Sequence, residues 1–235
     1  MAAPPPQVIG RHVVLGEGER DRSFLEYLCQ NRQITGLAVG YVGGNGGFRK
    51  YLDAMYASPR FSECNSILLI SDSDESPDDS FKNIKDQLDA IRFPSPSRPL
   101  EMAKKTAYPS IGILMLPHPA PPNDGRGCLE TLLIQAMVSA NPRQGACVDQ
   151  MSACVGITSW PKKNSQDKFK VRCLVSAVWS DDPMYGLNLC FSPDKHLVPL
   201  DHAVFNEVAL ILQHFAAWSS SNSRSWAEWR QANGV

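Results

Sequence analysis

Ile67-Leu68-Leu69-Ile70-Ser71-Asp72-Ser73-Asp74-Glu75 is the stretch on which the fold turns. Four aliphatic residues run without alternation towards two carboxylates spaced i, i+2. An unbroken apolar run of this kind fits a strand buried on both faces, as in parallel sheets covered by helices. In open α/β sheets, ligands bind beyond the carboxyl ends of the strands. Asp72 and Asp74 are expected at such an edge, with their side chains on one side of an extended backbone. Two like charges this close repel unless a cation or proton lies between them. Oxygen-only ligands at that spacing suit Mg²⁺ or Mn²⁺. A solvated acidic turn that caps the next helix is the plainer reading of the same residues.

The chain has 235 residues, 43% of them hydrophobic and 20% charged, with a net charge of −1. Such a length suits one large domain, or one domain with a substantial extension. The charge balance provides no global basic field, so contact with a polyanion falls to a local patch or to bound cations. The seven cysteines are an odd number and form no CxxC pair. That argues against a disulfide framework and a zinc site, and for a reducing compartment. Met1 to His12 lacks the apolar run of a secretory signal, and no stretch reaches membrane-spanning length. The expectation is a soluble, cytoplasmic protein with no membrane partner.

Taken in order, His12 to Leu15 reads as a first strand, running into Gly16-Glu17-Gly18-Glu19-Arg20-Asp21. Small residues permit a tight strand-to-helix turn there, and Asp21 or Ser23 suits the helix start. Phe24, Leu25, Leu28 and Cys29 then share one helical face. Leu37 to Val42 is a second strand, closed by Gly43-Gly44-Asn45-Gly46-Gly47. Without a GK[ST] ending, this cluster reads as a turn before a helix over Phe48–Tyr56 rather than as a phosphate cradle. A third helix is predicted over Asp78–Ile91, a fourth strand over Ile111–Pro117, a loop over His118–Arg126, and a fourth helix from Gly127-Cys128-Leu129-Glu130. Strands alternating with helices predict an α/β fold, a doubly wound, mostly parallel four-stranded sheet over residues 7–140. Residues 141–235 predict a mainly helical extension on the same core. It contains a helix over Lys168–Trp179 entered from the basic segment Lys162, Lys163, Lys168, Lys170 and Arg172. An apolar helix over Val204–Trp218 follows, and after Ser219–Ser221 a short last turn over Ser225–Gln231. His118 and His202 read as loop or surface residues, and Trp218, Trp226 and Trp229 as packing anchors.

Acidic residues thus recur after strand one (Glu17), strand three (Asp72, Asp74) and strand four (Glu130). In a parallel sheet all of them converge on one edge. Carboxylates gathered there repel unless cations neutralise them, which is what two-metal phosphoryl-transfer sites need. Competing readings exist for each residue. Glu17 and Glu130 suit the positive ends of helices as ordinary charges. Asp21 suits a cap, and the lysines suit a solvated face.

Glu17-Gly18 followed by Asp21, then a buried strand ending in Asp72-x-Asp74, resembles the TOPRIM fold of topoisomerases, primases and small nucleases. Gly127-Cys128-Leu129-Glu130 is similar to the G-x-L-E segment of standalone TOPRIM proteins and OLD-family nucleases. More weakly, a lysine-bearing helix followed by Gly186-Leu187-Asn188-Leu189-Cys190-Phe191 resembles standalone members out to about residue 218. The resemblance implies that Glu17 is a general acid/base or a metal ligand. It implies that Asp72 and Asp74, joined by Asp21, hold Mg²⁺ (or Mn²⁺), and that Glu130 serves a second metal. Lys168 or Lys170 would offset charge developing on phosphate, because a helix holds either one more rigidly than a loop does. Gly16 departs from the apolar residue usual at its position, which predicts a looser turn. No tyrosine or zinc module points to topoisomerase or primase chemistry. The implied activity is metal-dependent hydrolysis of phosphodiester bonds in DNA or RNA. The alternative is a TOPRIM subunit inactive alone that partners a separate ATPase, in a phage-defence or toxin-like setting. A third reading is small-phosphate binding at the glycine loop. A homodimer is among the expected assemblies.

Overall fold

β3 (Ser66–Asp72) lies inside a four-stranded, all-parallel sheet, between β1 (His12–Gly16) and β4 (Ser110–Leu116), with β2 (Leu37–Tyr41) on the far side of β1. The order is β2-β1-β3-β4, with Val13 opposite Ile67, and Ile67 in turn opposite Ile111. The structure is a computed structural model that describes residues 8–118, 125–179, 187–192, 194, 195, 197–218, 226, 228 and 231. Of the sequence expectations, the proline-rich start, Gly186, Ser219–Ser221 and Trp229 lie outside the described residues.

The alternation of side chains across each strand sorts the aliphatic residues into two cores. Val13, Leu15, Ile67, Leu69, Ile111, Ile113 and Met115 face helices α2 (Phe48–Tyr56) and α3 (Pro77–Ala90). Val14, Leu68, Ile70, Leu114 and Leu116 face the opposite layer. That layer holds α1 (Glu19–Asn31), α4 (Leu129–Ala140), α5 (Pro142–Cys154), α6 (Lys163–Val178) and α7 (Asn206–Ala216). Both faces are therefore dry, which is why these strands carry no polar alternation. Phe24 of α1 packs against Phe191 and Phe205, with ring centroids 5.7 and 5.4 Å away. Residues beyond 141 thus enter the same core as the sheet. Trp218 and Trp226 are buried in it.

Three details differ from the sequence reading. α5 was not anticipated, because Pro142-Arg143-Gln144-Gly145 mixes turn formers with a weak apolar period. Pro142 occupies the first turn, and the Asn141 side chain accepts the Gln144 N–H, so these turn formers start a helix. α6 begins at Lys163, five residues earlier than expected. The backbone does not stay extended through both aspartates: β3 ends at Asp72, and Asp74 adopts a left-handed φ of 51°.

The glycine cluster after β2 serves the first strand's turn. The N–H groups of Gly43 and Gly44 donate to the Glu17 carbonyl at 3.0 and 2.7 Å. These two amides are engaged within the fold and so do not form the phosphate cradle considered above; they fix the backbone of Glu17.

Candidate metal centre

In this strand order the chain leaves β1 towards β2 on one side and crosses to β3 on the other. A crevice opens between such strands at their carboxyl ends. Glu17 follows β1 and Asp72 ends β3, so the two flank that crevice from neighbouring strands. Glu17 Oε1 accepts the Asp72 N–H at 3.0 Å and the Ser71 hydroxyl. One carboxylate oxygen thus ties the ends of the two central strands together.

Asp21 comes from the first turn of α1. Its Oδ2 accepts the Gly18 N–H at 2.7 Å, so the cap that sequence reasoning assigned to it exists. The same carboxyl also lies in the field of Glu130 and Asp72. Gly16 makes this approach possible. A Cβ on residue 16 would stand 2.6 Å from the Asp21 Cβ. The departure from an apolar residue therefore tightens the turn instead of loosening it. Gly16→Ala is expected to destabilise the fold by about 1–3 kcal/mol, the usual cost of forcing extra carbon into a packed site. Urea denaturation against the wild type measures this, and an unchanged midpoint would show that the turn has slack.

The second half of the centre is assembled by a clasp. Asp74 N–H donates to the Gly127 carbonyl and Gly127 N–H donates to the Asp74 carbonyl, both at 2.8 Å. Gly127 has φ 125°, and a Cβ there would collide with the Thr131 side chain, so the position requires glycine. The clasp holds the loop after β3 against the start of α4. There the Leu129 N–H donates to Asp72 Oδ1 at 2.9 Å, placing that carboxylate at a helix N-terminus. Glu130, in the same turn, is 1% exposed and takes a charged hydrogen bond from Arg20 Nη1. Ligating atoms of Asp72, Cys128 and Glu130 all lie within 4.8 Å of one another.

α6 closes the site. Asn164 Nδ2 donates to Asp74 Oδ1. Asp167 accepts the Thr131 hydroxyl at 2.6 Å, locking α6 to α4, and Lys163 Nζ of its own helix at 2.7 Å. One turn beyond Asn164, Lys168 is near enough to Glu130 and Asp72 that its pKa is raised: burial alone lowers it, and the field of the two carboxylates outweighs that. Lys170 lies about 200° further round the helix and pairs with Asp149 of α5 at 2.7 Å. The helix therefore presents one of the two lysines considered, Lys168, to the carboxylates and carries the other away. The sequence-nominated residues that meet are Glu17, Asp21, Asp72, Asp74, Glu130 and Lys168.

Burial pushes the Asp72 carboxyl well above the ordinary range, reinforced by Asp21, Glu17 and Glu130 against the Leu129 N–H. Burial also raises Glu17, opposed by its bonds from Ser71 and Asp72 and helped by Asp21 and Asp74. Asp21 is raised by burial and by Glu130, against Gly18 N–H, Arg20 and Lys168. Asp74 is raised by burial, with Lys168 opposing. Burial, then Glu130 and Asp72, push the Cys128 thiol strongly up. Four carboxyls held above their ordinary range in one crevice need protons or cations to remain there.

These residues fit a divalent cation. Apart from the Cys128 sulfur, the donors are carboxylate oxygens, and that oxygen majority suits a hard ion. Moreover, Asn164 is 8% exposed and its Oδ1 has no partner among the described residues, although its Nδ2 is held on Asp74. An orphan amide oxygen beside an acidic crevice calls for a metal or metal-bound water. Sequence reasoning missed Arg20, Cys128, Asn164 and Asp167. A signal was present for two of them: Asn164 and Asp167 fall on the same α6 stripe as Val171, Leu174 and Val175, putting polar groups where core residues belong.

A search among curated proteins finds no match to this chain. Among solved structures, the C-terminal region of the Xanthomonas campestris pv. campestris OLD protein is similar. Its platinum-phased form is 16% identical, with 88% of this chain and 94% of that one covered and a TM-score of 0.40. The mercury-phased form is also 16% identical, with 89% and 97% covered and a TM-score of 0.41. Likeness at this level transfers neither fold nor activity. The sequence pattern of a protein family of unknown function, DUF3226, matches residues 11–218, and the chain belongs to that family.

Proposed function

We propose that this protein is a TOPRIM-like hydrolase of nucleic-acid phosphodiester bonds, dependent on Mg²⁺ or Mn²⁺. The observation that carries the reading is the meeting of Glu17, Asp21, Asp72, Asp74 and Glu130 with Lys168 at the carboxyl edge of the central strands. Asp72 and Asp74 would hold one cation, with Asp21 and Asn164 beside them, and Glu130 would serve a second. A bound divalent cation supplies charge neutralisation and Lewis acidity towards phosphate oxygens. Glu17, held above the ordinary glutamate range chiefly by burial, takes or returns a proton at its carboxyl oxygen Oε2, while Oε1 stays anchored by Ser71 and Asp72. Lys168 offsets charge that builds up on the phosphate. Partial burial of the acids limits the water around them, which strengthens these electrostatic effects.

The test is cleavage of DNA and of RNA by the purified chain with Mg²⁺ or Mn²⁺, compared with Glu17→Gln, Lys168→Ala and Lys170→Ala. Lys168→Ala is expected to lose about 10²-fold in rate, the typical size for one positioned electrostatic group. Lys170→Ala removes a pair whose Asp149 side is exposed and is expected to stay near wild type. No cleavage of either substrate, or equal losses in both lysine variants, would sink the reading.

A second reading, a TOPRIM subunit silent until an ATPase partner binds, is favoured by the net charge of −1. A free nuclease ordinarily presents a basic groove to its substrate. Cleavage that appears only when a co-purified ATPase and ATP are added separates the two.

A further inference from the structure

Arg20 sits in the first turn of α1, and its Nη1 bonds to Glu130 Oε1. The Glu130 side chain is 2% exposed, whereas that of Arg20 keeps 32%. The contact therefore joins a buried carboxylate to a long side chain with an open route back to solvent. Glu17, Asp21, Asp72, Asp74 and Glu130, with Glu75 beside them, face the cations Arg20, Lys168 and Lys162, an excess of three negative charges when all are ionised. A divalent cation at Asp72 and Asp74, next to the orphan Asn164 Oδ1, would leave the Arg20–Glu130 pair in place. A second one, at the corner formed by Asp72, Cys128 and Glu130, would claim the Glu130 oxygen that the guanidinium already holds.

We propose that Arg20 is an internal counter-ion that reserves the Glu130 corner, so that divalent cations load in sequence and the second binds only after Arg20 swings out. Without metal, the guanidinium prevents Glu130 from standing as an unpaired buried charge, an arrangement that is strongly destabilising. Once released, its planar fork is available to a phosphate at the rim, where bidentate geometry favours arginine over lysine. The inference rests on the metal-dependent reading above, and its test separates the two.

The experiment is calorimetric titration of Mn²⁺ into the EDTA-stripped full chain, for wild type, R20Q and K170A. Wild type is expected to take one tighter and one weaker equivalent. R20Q keeps the side chain's reach and loses its charge. It is expected to tighten the weaker equivalent about tenfold or more, as removal of a charge-assisted competitor allows. It should also lower Tm in EDTA and respond to Mn²⁺ with a larger rise in Tm than wild type does. K170A should leave both equivalents unchanged. A gain in affinity cannot arise from misfolding. Should R20Q not fold, R20K, which keeps the charge and loses the fork, is expected to give a smaller gain in the same equivalent. No gain in whichever variant folds overturns the proposal, as do two equal equivalents in wild type, and both leave the metal reading standing. No Mn²⁺ binding in wild type overturns both.

Discussion

Asp72→Asn is expected to weaken divalent-cation binding and cut cleavage by orders of magnitude while raising the stability of the cation-free protein. Asp72 is the acid most strongly displaced from its ordinary range, by burial first and then by Asp21, Glu17 and Glu130. Asparagine has the same shape and retains an oxygen for the Leu129 N–H, so the hydrogen bond of 2.9 Å can persist. What disappears is the charge. Without metal that charge is a liability; with metal it is the ligand at the centre of the site. Activity should fall by about 10²–10³-fold, the range seen when one electrostatic group is removed from a preorganised site. Meanwhile, Tm in EDTA at about pH 8 should rise by several degrees, the scale on which 1 kcal/mol acts in a domain of this size. A merely structural Asp72 would give the reverse: intact cleavage and a lower Tm. Paired cleavage and melting measurements distinguish the two, and the structural pattern would remove Asp72 from the site.

The second large effect is on pH dependence. A carboxyl whose folded pKa exceeds its unfolded value keeps its proton longer in the native state. Its stabilisation is complete below the unfolded pKa and is lost as pH rises through the folded one. Glu17, Asp21, Asp72 and Asp74 are all of this kind, starting from ordinary values of 4.5 for Glu and 3.8 for Asp. The cation-free protein should therefore lose stability as pH climbs above the ordinary carboxylate range towards neutrality. His12 and His214, lowered by burial from 6.5, act in the opposite direction, their folded forms gaining as pH rises. Lys168, raised from 10.5, contributes no slope below that value. Comparison with Asp72→Asn isolates Asp72 and its coupling to the other three acids, since both histidines are common to the two proteins. The wild type should fall relative to the variant as pH rises, and saturating Mn²⁺ should reverse the trend. At one hundred times its dissociation constant, a ligand adds about 2.7 kcal/mol. Parallel curves in EDTA would contradict the like-charge crevice.

Much of the architecture was legible because it is local. The aliphatic runs of β3 and β4 are too long and too uniform for a half-exposed strand, and the helices between them declare themselves by period. Asp72 and Glu17 could be nominated because both follow such runs, and a parallel sheet brings every strand's end to one edge. The helix phase of α6 also distinguishes Lys168 from Lys170, once the helix is known to start at Lys163. Asp74 was nominated for a reason that does not hold. It reaches the site through a left-handed turn clasped to Gly127, a long-range pairing that no spacing in the sequence records.

By itself, then, the sequence determined the parallel sheet, its two dry faces and which acids end its strands, since burial and side-chain period are properties of neighbouring residues. Only the tertiary structure decided how those acids are balanced. Arg20 meets Glu130 across 110 residues, and Asn164 meets Asp74 across 90. The charge on a buried carboxylate is governed by what surrounds it in space, and those surroundings exist only after the chain has folded.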